Sequence, residues 1–106
     1  MRRPLRASYP EWIMSSENPL LNCRVCGYAG DGPPWGEDGL YPTYNICSCC
    51  GVEAGYEDCS SEGIHQYRAN WIAAGAKWRE PKFRPDQWNL ELQLKGVPSG
   101  PADPAR

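Results

Sequence analysis

Aliphatic residues are scarce in this 106-residue chain: Leu, Ile, Val and Phe together number fifteen, with a single Phe among them. That is about 14% of the residues, below the roughly 20% at which disorder becomes a live reading. Five Trp, six Tyr and a formal net charge of only -2 argue against disorder. A core built from this composition is aromatic and short of aliphatic filling. A domain so small and so poor in aliphatic mass usually needs a staple, either disulfides or a metal. No run approaches 18 apolar residues, so no membrane span is expected. Arg2, Arg3 and Arg6 are followed by no apolar stretch of signal-peptide length, so no secretory signal is expected. The compartment implied is the reducing cytoplasm, where paired Cys more often bind metal or do redox work than form structural disulfides. A single His, no Ser/His/Asp set and no Gly-rich phosphate loop leave an enzyme unexpected.

Bases are missing altogether from residues 31–62, which carry Asp31, Glu37, Asp38, Glu53, Glu57, Asp58 and Glu62. This block sums to about -7 and is flanked by segments of about +2 and +3, so the small total hides a polarised chain. A uniform basic face, the usual footprint of a nucleic-acid binder, is disfavoured.

All six Cys fall within residues 19–59, and four of them form a repeat: Cys23-Arg-Val-Cys26-Gly27-Tyr28 and Cys47-Ser-Cys-Cys50-Gly51-Val52. A Cys-x-x-Cys turn points two Sγ atoms at one tetrahedral ion, roughly 2.3 Å from each. The residue after the second Cys is often Gly, because the turn needs a positive φ there. Two such knuckles make a zinc-ribbon-like four-cysteine site, with Cys23, Cys26, Cys47 and Cys50 as ligands to Zn²⁺; iron fits the same donor set. A closed site of four cysteines has no open coordination position, which points to a structural role. Four thiolates on one divalent ion also add about -2 to the acidic block. A disulfide framework fits the expected compartment poorly, and a redox Cys-x-x-Cys lacks a surrounding βαβ pattern. Cys49 and Cys59 are left as free thiols, and His65 is read as a solvated helix residue over a partner for Cys59.

Gly and Pro crowd the segment between the knuckles, which reads as loop. Short strands are expected at residues 41–46 and 52–56, beside the second knuckle. The clearest helix is expected at about 61–75, capped by Ser60 or Ser61, with Glu62 near the positive end of its dipole. Ile64, Tyr67, Trp71, Ala74 and Trp78 recur at helical spacing and form one apolar stripe. Gly75 can end the helix early, which puts Trp78 on the following turn. Over residues 88–95 the signals conflict: Trp88, Leu90, Leu92 and Leu94 alternate as in a strand, yet the residue types form helices and Asn89 can cap one. The fold class expected is small α+β: a zinc-ribbon-like metal site of four cysteines with short β-hairpins, then one main helix. It occupies residues 19–95, between a loosely ordered arm (1–18) and a disordered tail (96–106).

These motifs resemble the bacterial cysteine-rich CPCC family over roughly residues 20–95. The resemblance rests on Cys23 to Tyr28, on Tyr44-Asn-Ile-Cys47-Ser-Cys49-Cys50-Gly51 with Gly55, Tyr56 and Asp58, and on Tyr67-Arg68, Trp71-Ile72, Gly75 and Trp78. Trp88 and Gln93-Leu94 also fit, and there the family pattern is helical. Ser48 departs from it, standing where the naming motif has Pro. The resemblance implies a zinc-ribbon-like unit followed by a helix. It also implies an immunity role, since members occur beside polymorphic toxins.

The expected function is a metal-binding, non-enzymatic protein-interaction module, of the kind that inhibits a cognate toxin. An acidic surface complements a basic toxin domain. Trp35, Glu53, Glu57 and Asp58 are the candidate partner-binding residues, with loop Trp35 as the anchor. The alternative is a nucleic-acid-binding zinc ribbon that uses the arm (Arg2, Arg3, Arg6, Tyr9, Trp12) and the run Lys77, Arg79, Lys82, Arg84.

Overall fold

A computed structural model describes residues 19–98. The arm expected over 1–18, and the tail from 99 onward, lie outside the described residues. A 3-10 turn at Pro19–Leu21 leads into the first knuckle. After the second knuckle come helix α1 (Ser61–Ala73), a 3-10 turn at Pro81–Phe83 and the short helix α2 (Leu90–Leu94).

The expected hairpins are not found. Among the described residues, β pairing is limited to two isolated antiparallel bridges, Asn22 with Ala29 and Ile46 with Glu53. The backbone shows why the ladders stop there. Tyr44 has φ 64°, which breaks the strand expected over 41–46, and Gly55 at φ 94° breaks the one expected over 52–56. Among the described residues, one bridge closes the base of each knuckle.

Helix α1 begins as its sequence requires. Ser60 Oγ accepts the Gly63 N–H at 3.0 Å, and Glu62 lies in the first turn. The helix ends two residues earlier than the expected bound of 75. The Gly75 N–H donates to the Ile72 carbonyl (3.0 Å) and the Ala76 N–H to the Trp71 carbonyl (2.8 Å), the paired bonds of a Schellman cap. Gly75 carries the left-handed conformation at φ 108°. A Cβ added there meets nothing closer than Lys77 Cε at 3.5 Å, so only the backbone opposes it. Gly75→Ala is therefore expected to cost about 1–2 kcal/mol, readable as a shifted urea midpoint with unchanged slope.

The expected stripe is corrected at one position. Ile64 and Trp71 are buried, and Tyr67 packs half-buried beside them, but Ala74 is exposed. The reversal at Gly75 sends Ala76 and Trp78 inward in its place. The core is as aromatic as the composition demands. Trp78 meets Tyr28 and Trp88 edge to face, with ring centroids at 5.1 and 5.6 Å. Such pairs contribute beyond the area they bury, which offsets the shortage of aliphatics. These rings surround Cys23, Cys26, Cys49 and Cys50.

The conflict over residues 88–95 resolves as helix. Asn89 Oδ1 accepts the Leu92 N–H at 3.0 Å and caps α2. A helical period turns Gln93 inward, while the alternating leucines are only half-buried.

Candidate metal centre

The two knuckles repeat each other bond for bond, 24 positions apart in the chain. The Cys23 N–H donates to the Tyr28 carbonyl and the Cys47 N–H to that of Val52, both at 2.9 Å. Gly27 and Gly51 donate back to the carbonyls of Cys23 and Cys47, both at 3.0 Å, and both glycines sit at φ 85°. The Val25 and Cys49 N–H groups donate to Cys23 Sγ and Cys47 Sγ, both at 3.4 Å. The weak repeat in the sequence is thus a structural repeat, built so that each turn presents two sulfurs with one already hydrogen-bonded as a thiolate would be.

The two turns bring Cys23, Cys26, Cys47 and Cys50 together, with all four Sγ atoms within 4.8 Å of one another. Cys23 and Cys50 lie 3.7 Å apart across the cluster, as do Cys26 and Cys47. Four ligands at roughly 2.3 Å from a tetrahedral ion stand roughly 3.8 Å apart, whereas a disulfide needs about 2.05 Å. The donor set and its spacing therefore fit one metal ion. Charge leads to the same conclusion. Burial holds the Cys26 thiol well above its ordinary value, while hydrogen bonding with Cys23, then Cys26 and Cys50, pulls Cys47 far down. Thiols this close and this buried cannot all ionise unaided, and a divalent ion would let four thiolates coexist there.

Residues outside the expected ligand set hold the knuckles in place. Gln93 is 2% exposed, and its amide N–H groups reach the Cys26 carbonyl (3.2 Å) and Cys49 Sγ (3.3 Å). Its Oε1 accepts the Trp88 indole N–H at 2.8 Å. A Cβ on Gly27 would collide with the Gln93 carbonyl oxygen, so the first knuckle and α2 are fitted to each other. From α1, Arg68 donates to the carbonyls of Val25 (2.6 Å) and Arg24 (3.1 Å). Arg68→Ala leaves these acceptors without their charged donor and is expected to cost about 1.5–3 kcal/mol in urea unfolding. Tyr67 donates its hydroxyl to the Cys50 carbonyl at 3.2 Å. Burial, then the charge of Cys50, pushes its pKa up to about 12, so it stays a donor into the alkaline range where an ordinary tyrosine ionises. Its contribution is full below the ordinary tyrosine value near 10 and fades as pH rises through about 12. No sequence signal marks Gln93: it alternates with leucines as Asn89 and Glu91 do, and strand-like counting puts it on the outer face.

Two expected partner-binding residues point inward. Asp58 is 1% exposed, so it presents no surface to a partner. Its Oδ2 accepts the Trp35 indole N–H at 2.9 Å and its Oδ1 the Gly55 N–H at 2.8 Å. The buried guanidinium of Arg24 stacks on the Trp35 ring, 3.8 Å from its centroid. Trp35 is thus committed to fastening its own Gly/Pro loop rather than standing free as an anchor. The loop needs this because Gly and Pro provide it with no ladder. Glu53 and Glu57 remain half-buried at the surface, joined where Glu57 Oε1 accepts the Glu53 N–H at 3.0 Å. Cys49 is fully buried and lies outside the four-sulfur set. Cys59 and His65 are both exposed.

No family model matches the chain, and no solved structure matches it. A curated relative does: the chain is 32% identical to "Uncharacterized protein YozI" of Bacillus subtilis (strain 168), over 64% of this chain and 69% of the relative. With a paired-knuckle centre of four cysteines at its core and that share of the relative covered, the chain belongs to the family that includes YozI.

Proposed function

We propose that the four cysteines hold Zn²⁺ as a structural ion, and that the domain so formed is a non-enzymatic protein-interaction module of the cytoplasm. The cluster carries this reading. Four sulfurs at tetrahedral spacing, three of them on buried residues, leave no coordination position for a substrate. Iron is the competing ion for four thiolates. No helix among the described residues is long and apolar enough to cross a membrane.

The partner class follows from charge. Residues 31–62 carry seven acids and no Lys or Arg; Asp58 is buried, and a basic protein surface complements the other six. The CPCC-like motifs narrow this to an immunity-type role against a basic toxin domain. The test is affinity purification of the tagged holo chain from its host, read by elemental analysis and mass spectrometry. One zinc per chain and a stoichiometric basic protein partner are expected. A stably metal-free chain, or no partner and no protection against any toxin encoded nearby, would sink the reading.

Nucleic-acid binding is the second reading, favoured by the exposure of Lys77, Arg79, Lys82 and Arg84. Two of these cations already cover aromatic rings of the same chain, Lys82 over Phe83 and Arg84 over Trp88. Arg79 is paired with Glu80 at 3.1 Å. Gel shifts with DNA and RNA decide it, because phosphate binding weakens steeply as salt rises.

A further inference from the structure

A groove of about 510 Å³ runs beside the metal centre, lined among others by Cys23, Cys47, Asp31, Tyr44 and Ile46. Three features set it apart from ordinary surface. First, Tyr44 and Ile46 stand 60% and 45% exposed on its wall, and Leu40, Tyr41 and Tyr56 from the same stretch of chain are more exposed still. A chain this poor in apolar residues spends them on its surface here, and clustered exposed apolar groups mark interaction sites. Second, Tyr44 is held in the left-handed region, which is costly for an aromatic residue. Thr43 fixes the turn: its N–H and hydroxyl both donate to the Pro34 carbonyl (2.9 and 3.0 Å), and its Oγ1 accepts the Asn45 N–H at 3.2 Å. The ring lies along Gly55, where an added Cβ would collide with it, and still leaves most of its surface open. Third, Cys47, the one cysteine of the four that is only partly buried, lies on the groove wall, so the cluster is least covered on that side.

We propose that this groove is the docking site for a basic segment of a protein partner, which lays apolar side chains on Tyr44 and Ile46 and covers the least buried side of the metal centre. The inference rests on the protein-interaction reading above and locates it. Charge complementarity selects the occupant. Asp31 lines the groove; Glu53 and Glu57 lie outside its wall but at its margin, where Glu53 is bridged to the wall residue Ile46 and its N–H donates to the Glu57 carboxylate. The thiolate centre adds negative charge behind them. The one base on the wall, Arg79, is already paired with Glu80. Cations on the occupant therefore meet acids, and its alkyl groups meet the exposed rings.

The probe is an amidated decapeptide of alternating Lys and Leu, with its Glu/Leu counterpart as control, titrated into the ¹⁵N-labelled, zinc-loaded full chain. The Lys/Leu peptide is expected to shift the amides of residues 44–48 saturably and to bind more than tenfold tighter than the Glu/Leu peptide. At saturation it should slow zinc extraction by EDTA at least fivefold. Tyr44→Asn keeps a residue that tolerates positive φ and removes the ring; it should retain the spectrum of the fold and lose at least tenfold in affinity. Equal binding of the two peptides, shifts centred elsewhere, an unchanged extraction rate, or full affinity in Tyr44→Asn overturns the assignment. Binding seen only in an Arg2→Gln/Arg3→Gln/Arg6→Gln variant would place the chain's own arm in the groove and overturn it as well. A host partner that binds Tyr44→Asn as well as wild type removes this groove but leaves the protein-interaction reading standing. Failure to find any protein partner removes that reading itself.

Discussion

Cys50→Ser is expected to abolish the fold rather than weaken it, and an excess of a strong chelator should do the same to the wild-type chain. Cys50 is 6% exposed and contributes one of four sulfurs to a centre around which the buried residues are arranged. Structural zinc in small Cys-rich modules contributes on the order of 10–16 kcal/mol of apparent binding free energy, and this is folding free energy. The net stability of a small domain is about 5–15 kcal/mol. A term of that size exceeds what the remaining ties on the knuckles can replace, namely one bridge each and the hydrogen bonds from Gln93, Arg68 and Tyr67. Acid acts in the same direction: the ligands must be thiolates, so the stability supplied by the metal is present at neutral pH and lost as pH falls. Amide dispersion in a ¹⁵N spectrum, recorded before and after chelation, reads the outcome. A chelated chain, or a Cys50→Ser chain, that keeps native dispersion contradicts the structural role of the centre.

Trp71→Ala is expected to destabilise the holo protein by about 3–5 kcal/mol, as truncations of large buried aromatics do. Trp71 is 8% exposed on the inner face of α1. It acts twice: its ring fills the core beside Cys50, Ile64 and Trp78, and its indole N–H donates to the Lys77 carbonyl at 2.9 Å. The second contact ties the helix to the chain that leaves the Schellman turn and carries Trp78 inward. Trp71→Phe separates the two roles. It keeps most of the ring and loses the hydrogen bond, so its expected cost is smaller, by a bond's share of about 0.5–1.5 kcal/mol plus the lost ring area. Urea unfolding of the zinc-loaded proteins measures both. An unchanged midpoint for Trp71→Ala contradicts its place in the core.

The four-cysteine cluster is legible because the repeat carries its own physics: two Cys spaced for one turn, each pair followed by a Gly that the turn requires. Helix α1 is legible from Ser60, Glu62 and the spacing of Ile64, Tyr67 and Trp71, and its end from Gly75. The hairpins are not. Residues 41–46 read as extended until the φ of Tyr44 is known, and nothing in the residue type signals a left-handed tyrosine. Trp35 is misread for a related reason. A Trp in a Gly/Pro loop reads as exposed unless its partners are known, and those partners, Arg24 and Asp58, stand 11 and 23 positions away. Gln93 is hidden by the period: alternation of Leu90, Leu92 and Leu94 suggests a strand, and only the helical turn capped by Asn89 makes the glutamine the inward residue. Local chemistry can be read from spacing, whereas long-range polar contacts such as those of Arg68 and Gln93 leave no periodic trace.

The central claim is that one metal ion, held by Cys23, Cys26, Cys47 and Cys50, organises this domain. X-ray absorption at the zinc edge of the purified 106-residue chain tests it most directly. The account predicts one zinc per chain with four sulfur neighbours at roughly 2.3 Å and no nitrogen or oxygen in the first coordination sphere. A folded chain without metal, or a zinc ion with fewer than four sulfur neighbours, would contradict it.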